Sequence, residues 1–130
     1  MSVTEQTPGR KFFDEHMEYI GKMDVDGLID DQYTEDALLI SPFDILDTPP
    51  PHVVRGRDAL KDFFRRYLSW QGEIAVESLY DFAETGDAIS FQAIFTSHTG
   101  RWVVGDGWHM TDGKIDTHFS FAHRLGEGSG

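Results

Sequence analysis

The chain has 130 residues and no cysteine, with 11 Lys and Arg against 23 Asp and Glu for a formal charge of -12. That length suits one domain whose core needs no disulfide or metal staple, and the lack of thiols excludes thiolate chemistry. An acidic surface of this kind repels phosphate backbones and anionic lipid, so nucleic-acid and membrane partners are not expected and the excess charge serves solubility.

Residues 1–9 carry neither a basic start nor a long apolar run, so no signal peptide is expected. No window approaches the roughly eighteen apolar residues needed to cross a bilayer. With the absence of cysteine, this favours a cytoplasmic protein. Residues 1–9 and 126–130 are expected to be flexible, leaving 10–125 as the domain.

Thr7-Pro8 reads as a helix N-cap followed by proline in the first turn. The helix that follows, to about Met23, gathers Phe12, Phe13, Met17, Tyr19, Ile20 and Met23 into one broad stripe, with His16 near its middle and so pointing inward. Asp24 caps a second, short helix with Val25, Leu28 and Ile29 inward, and Asp30, Asp31 and Gln32 toward water. Thr34-Glu35-Asp36 then reads as a turn, and Ala37 to Ile40 as a short buried strand stopped by Ser41-Pro42. From Phe43 to His52 the apolar residues and the stiff Pro49-Pro50-Pro51 run suggest a flap.

The third helix, from about Asp58 to Trp70, places Leu60, Phe63, Phe64, Tyr67 and Leu68 at i, i+3, i+4, i+7 and i+8. Everything after it reads as strand: Ile74 to Ala83, Ala88 to His98, and a long hairpin from Arg101 to Arg124 turning at Asp112-Gly113. No internal repeat and no domain boundary is evident. Helices covering one face of a meandering sheet make an α+β fold. The sheet is expected to be antiparallel and strongly curved, a cone wrapped over three N-terminal helices with a pocket between them.

In the hairpin's first strand, Trp102, Val104, Asp106, Trp108 and Met110 alternate onto one face, which makes Asp106 the lone carboxylate in an apolar row. Its partner depends on the hairpin register. A two-residue loop sets Asp106 against Phe119 and turns His118 away; a bulged turn at Thr111-Asp112-Gly113 slips the pairing by one and sets Asp106 against His118. The bulged form is the preferred reading.

The run D-V-D-G-L, the strand Y-T-E-D-A-L-L-I-S-P, the helix V-R-G-R-D-A-L-K-D-F-F and the ending D-G-K-I-D-T-H-F together resemble the nuclear-transport-factor-2-like superfamily. Within it the chain is similar to the ketosteroid-isomerase and SnoaL-like polyketide-cyclase branch, over about residues 10–124. In that isomerase an Asp base stands beside an oxyanion hole made by a tyrosine and a protonated Asp; laid against it, Asp106 falls at the protonated Asp and His16 at the tyrosine. Ser41 stands where the base would be, so steroid isomerisation by that route is not implied, although Asp44 offers a replacement carboxylate. SnoaL-like sequences often end G-K-I-x-x-H-W-D; His118 matches that histidine, and Ser120 replaces the acid, which favours an inward His118.

The expected catalytic set is therefore His16, Asp106 and His118, with Ser41, Phe64, Trp108, Ser120 and Tyr19 lining the substrate pocket. An Asp holding one His, with a second His donating to an oxyanion, suits proton abstraction beside a carbonyl: isomerisation, aldol-type cyclisation or dehydration of a small apolar or aromatic molecule. No cofactor and no metal are expected, since the histidines lack ligand spacing and no nucleotide-binding or nucleophile-elbow motif is present. The duller alternatives are a core-bonded His16, an Asp106 paired with Arg55 or Arg101, and a His118 facing outward with His109. The rival function is a non-catalytic module that binds a small ligand or forms a homodimer through an outer face bearing Ile115, Phe119 and Phe121.

Overall fold

The computed structural model describes residues 7–41 and 51–125. Helix α1 spans Pro8–Lys22, opened by Thr7, whose Oγ1 accepts from the Arg10 N–H at 3.2 Å. The same hydroxyl donates to Glu84 Oε1, and Gly9 N–H donates to Glu84 Oε2 at 3.2 Å, so one carboxylate of the sheet fixes the helix start. Met23, in the left-handed region at φ 55°, closes α1 with its N–H on Ile20. Asp24 then caps α2, Val25–Gln32, by accepting from Gly27 N–H at 3.0 Å. Helix α3 spans Arg57–Gln71 and buries Leu60, Phe63, Phe64 and Leu68 on the stripe that its spacing predicts.

Six strands form one sheet: β1 Tyr33–Ser41, β2 His52–Arg55, β3 Ala75–Glu84, β4 Ala88–Ser97, β5 Gly100–Thr111 and β6 Lys114–Arg124. Their order is β2-β1-β6-β5-β4-β3. All neighbours run antiparallel except β1 and β6, which are parallel, the one departure from the expected antiparallel sheet. The result is an α+β fold, three helices against a curved, unclosed sheet. Among the described residues no helix is long and apolar enough to cross a membrane.

Bulges curve the sheet, since each adds an unpaired residue and a local bend. β3 carries two, between Val76 and Ser78 and between Tyr80 and Ala83, the latter with Asp81 at φ 56°. The core lies between the concave face and the helices: Leu28 and Ile29 of α2 and Leu60 of α3 meet Trp108 and Ile115 of the hairpin, and Phe13 packs edge-on against Phe91 at 4.6 Å. Burying each such side chain contributes about 1.5–3 kcal/mol.

Several expectations change. Thr34-Glu35-Asp36 is not a turn but part of β1, with an irregularity in its pairing to β6 between Tyr33 and Leu38. His52–Arg55, where no strand was expected, is an edge strand paired with Leu38 to Ser41. Gln32 does not face water; it is buried, because it falls seven residues after Val25 on the inward stripe of α2. Ile115 is buried rather than on the outer face. The proposed flap, except Pro51 and His52, lies outside the described residues, as do Asp44, residues 1–6 and residues 126–130.

The hairpin register follows neither expected form. Asp112 and Gly113, at φ 53° and 80°, make a two-residue turn with Thr111 paired to Lys114. The slip comes later: Met110 pairs with Ile115 but His109 pairs with Thr117, leaving Asp116 as the extra residue. Asp106 is thus set against Ser120, and Trp108 against His118. The slip runs in the opposite direction from the one expected at the turn, and the two differ by two positions. Because side chains alternate with period two, His118 still shares a face with Asp106.

Candidate functional site

A cavity of about 310 Å³ lies between α1, α3 and the concave face of the sheet. Most of its wall is apolar, with Phe13, Met17 and Ile20 from α1, Phe63, Phe64 and Leu68 from α3, and Phe91 and Phe95 from β4. Its polar members are His16, Ser41, Tyr67, Asp106, His118 and Ser120. The sheet register explains the grouping. Ile40 pairs with Phe119 and Asp106 with Ser120, so Ser41, Ser120 and Asp106 stand abreast on β1, β6 and β5. The next row holds Leu39, His118 and Trp108.

His118 is buried and engaged at both ring nitrogens. Its Nε2 lies 3.3 Å from Asp106 Oδ2 and its Nδ1 2.8 Å from the Tyr33 hydroxyl. A carboxylate only accepts, so Nε2 carries the hydrogen that Asp106 receives, Nδ1 is bare, and Tyr33 donates to it. Burial, with the charge of Asp106 adding to it, holds the Tyr33 phenol well above its ordinary range, so it keeps that proton. The rings of Tyr33 and His118 stack with 20° between their planes. Tyr33 is fully buried and anchored a second way, its carbonyl accepting from Arg57 Nη2 at 2.8 Å.

Asp106 Oδ2 is therefore held, while Oδ1 is buried and has no hydrogen-bond partner among the described residues. Ser41, 1% exposed, likewise has an Oγ without a partner among them. A buried polar atom left unpaired costs about 1–3 kcal/mol, and both residues that carry one here line the same cavity. The suggested ion pairs of Asp106 do not form: Arg55 donates to the Asp36 carbonyl, and Arg101 pairs with Glu77.

His16 enters from α1. Its Nδ1 is 3.0 Å from Gln32 Oε1, and Gln32 Nε2 donates to the Phe12 carbonyl at 3.1 Å. The amide thus presents an oxygen to the ring, and His16 carries its hydrogen on Nδ1. Burial, reinforced by the neighbouring His118, holds its pKa down to about 4. The neutral ring keeps a bare Nε2, which accepts. This corrects the expected role of His16 as an oxyanion donor, since its donor nitrogen is occupied by Gln32.

The structure brings His16, Asp106, His118, Ser41, Ser120 and Phe64 to one cavity. Two of the expected pocket residues stand elsewhere. Trp108, 1% exposed, packs behind the cavity wall with its ring 4.5 Å from that of His16 and does not line the space. Tyr19 lies on the far side of α1, where its hydroxyl donates to Asp31 at 2.9 Å. His109 faces outward on the bulge, bonded to Asp116 at 2.7 Å, while His118 faces inward. Gln32 and Tyr33, which position the two histidines, did not figure among the expected site residues. Gln32 had a signal, a polar side chain on an apolar helical stripe; Tyr33 had a weaker one, two-residue phase with Ala37, Leu39 and Ser41. Among the described residues no group of three or more His, Asp or Glu is placed to hold a metal ion.

No family model and no curated protein matches the sequence. Solved structures do. The chain is similar to an NTF2-like protein from Anabaena variabilis ATCC 29413, with a TM-score of 0.74 at 14% identity over 97% of this chain and 98% of that one. It is similar to an NTF2-like protein of unknown function from Burkholderia xenovorans LB400, with a TM-score of 0.73 at 15% identity over 95% and 88%. A third, from Burkholderia pseudomallei K96243 and also of unknown function, has a TM-score of 0.73 at 17% identity over 88% and 90%. At these identities the likeness establishes an NTF2-like fold and no narrower branch of it.

Proposed function

We propose that the protein is a cofactor-independent enzyme of the ketosteroid-isomerase and SnoaL-like kind, which moves a proton beside the carbonyl of a small apolar molecule. The observation that carries the reading is Asp106: a side chain lining an apolar cavity, with one carboxylate oxygen fixed by His118 and the other buried and without a partner among the described residues. A carboxylate with one oxygen held by a histidine and the other unpaired has the geometry of a general base.

In this reading Asp106 Oδ1 removes a proton from the carbon next to the carbonyl. The C–H pair becomes the C=C bond of an enolate, and the carbonyl π pair moves to oxygen. Return of the proton to another carbon isomerises the substrate; attack of the enolate carbon on a second carbonyl of the same molecule cyclises it, the π pair of that carbonyl moving to its oxygen, which takes the proton back from Asp106. His118 touches Asp106 and, with Tyr33 behind it, sets which oxygen is free. Ser41 Oγ is a further polar group for substrate oxygen, and the bare Nε2 of His16 can accept only from a substrate hydroxyl.

The test is deuterium exchange. Uncharged cyclic ketones in D2O are expected to exchange hydrogens beside the carbonyl in the presence of the protein, and Asp106→Asn to lose about 10²- to 10⁴-fold of that rate while melting at nearly the same temperature. Ketone binding without exchange, in wild type and variant alike, would identify a non-catalytic binding module instead. A second copy as partner is favoured by Phe119, 47% exposed on the outer face of β6.

A further inference from the structure

Tyr67 reaches the cavity from α3, and a chain of hydrogen bonds behind it has one direction only. Trp102 Nε1–H, which can only donate, bonds Thr99 Oγ1 at 2.9 Å. Thr99 Oγ1 passes its own hydrogen to Gln71 Oε1 at 2.6 Å, where Ser97 Oγ also donates at 2.5 Å. Gln71 is fully buried with its oxygen doubly occupied, so its Nε2 faces Tyr67 and donates to the phenol oxygen at 3.2 Å. The Tyr67 oxygen is thereby an acceptor, and its hydrogen has no acceptor among the described residues. Burial pushes the Tyr67 pKa up to about 12, with the charge of Asp106 also raising it, so the phenol keeps that hydrogen at neutral pH.

We propose that Tyr67 is the donor that holds the substrate's carbonyl oxygen, and that the substrate is an uncharged ring ketone. This rests on Asp106 as the proton acceptor. The two groups line the same cavity, one with an unpaired acceptor oxygen and the other with an unpaired donor hydrogen, which is the complement of a carbonyl and its neighbouring C–H. The charge of the wall sets the class. Among the described residues lining the cavity there is no Lys or Arg, and the one carboxylate is Asp106. A carboxylate or phosphate on the substrate would be buried without a counter-ion beside a like charge.

The probes are 2-tetralone, its carboxylated analogue and tetralin, the matching hydrocarbon. Wild type is expected to exchange 2-tetralone and to leave the carboxylated analogue untouched. Tyr67→Phe is expected to slow exchange by about 10- to 100-fold, as loss of an oxyanion donor does. It is also expected to weaken 2-tetralone binding by about tenfold while tetralin, which offers no oxygen, binds within about twofold of wild type. Unchanged tetralin binding also shows that the variant has kept its cavity. If Tyr67→Phe exchanges like wild type and Asp106→Asn does not exchange, the donor assignment is wrong and the base assignment stands. If wild type binds 2-tetralone without exchanging it, proton transfer is wrong, and the ketone-to-tetralin affinity ratio still decides Tyr67. Binding of none of the three probes, or tighter binding of the carboxylate, overturns the proposal.

Discussion

Asp106 and His118 are diagonal neighbours on the β5–β6 ladder, and the 3.3 Å between Oδ2 and Nε2 leaves Oδ1 without a partner among the described residues. The carboxylate, which only accepts, compels the imidazole to carry its hydrogen on Nε2, and the Tyr33 hydroxyl then donates to the bare Nδ1. Tyr33→Phe therefore should leave Nδ1 without its donor. Expected are a change in the ¹⁵N shifts of His118, a stability loss of about 1 kcal/mol and a reduced exchange rate. Unchanged His118 shifts would show that Tyr33 does not donate to the ring.

Stability should fall with acid because of His16. In the unfolded chain this ring titrates near 6.5 and in the fold near 4. Between those values the unfolded chain binds the extra proton, so the fold loses stability as pH drops through that window and levels off below it. The shift corresponds to about 3 kcal/mol. Urea unfolding of wild type and His16→Asn between pH 7.5 and 4 isolates this slope, which should be shallower in the variant. Gln32→Glu should also flatten it, because a carboxylate on Nδ1 favours the charged ring.

The bulge at Asp116 decides which residues of β6 face the cavity. Removing Asp116 would place Thr117 directly after Ile115 and close the ladder without a bulge, with Trp108 still set against His118 and Asp106 against Ser120. Its deletion is expected to fold with His118 still inward, losing the local bend of β6 and the contacts of the Asp116 side chain. Asp116→Ala, which keeps the extra residue, should fold and lose only the contacts to Thr111, Thr117 and His109. Chemical denaturation of both variants separates what the extra backbone residue contributes to stability from what its side chain contributes.

Phe119→Glu tests the second-copy reading. Sedimentation velocity should show a dimer for wild type and a monomer for the variant, with the cavity unaffected because the ring points away from it. A monomeric wild type would remove that partner.

Much of this architecture was legible in the sequence. The stripe from Leu60 to Leu68 marked α3, Asp112-Gly113 marked the turn, and period-two alternation placed Asp106 inward. The register was not legible, because a bulge inside a strand leaves no signature: Asp116 is an ordinary residue whose role appears only when both strands are paired. The supports of the site were hidden for another reason. Gln32 occupies an apolar stripe but is polar, so composition outweighed position, although position governs what a helix buries. Tyr33 sits where α2 passes directly into β1, a junction at which neither period has enough residues to be read.

The bond from Tyr33 to His118 spans 85 positions of chain, and β1 meets β6 only after every other strand has been made. Contacts this distant in sequence are entropically the slowest to close, so the ordering of Asp106 belongs to the end of folding and not its beginning. A chain still emerging from synthesis can form α1 through β4 without any trace of the site. The polar wall is sealed when the last strand docks, and fragments that stop short of β6 would be left with an exposed strand edge and a Tyr33 hydroxyl without its histidine.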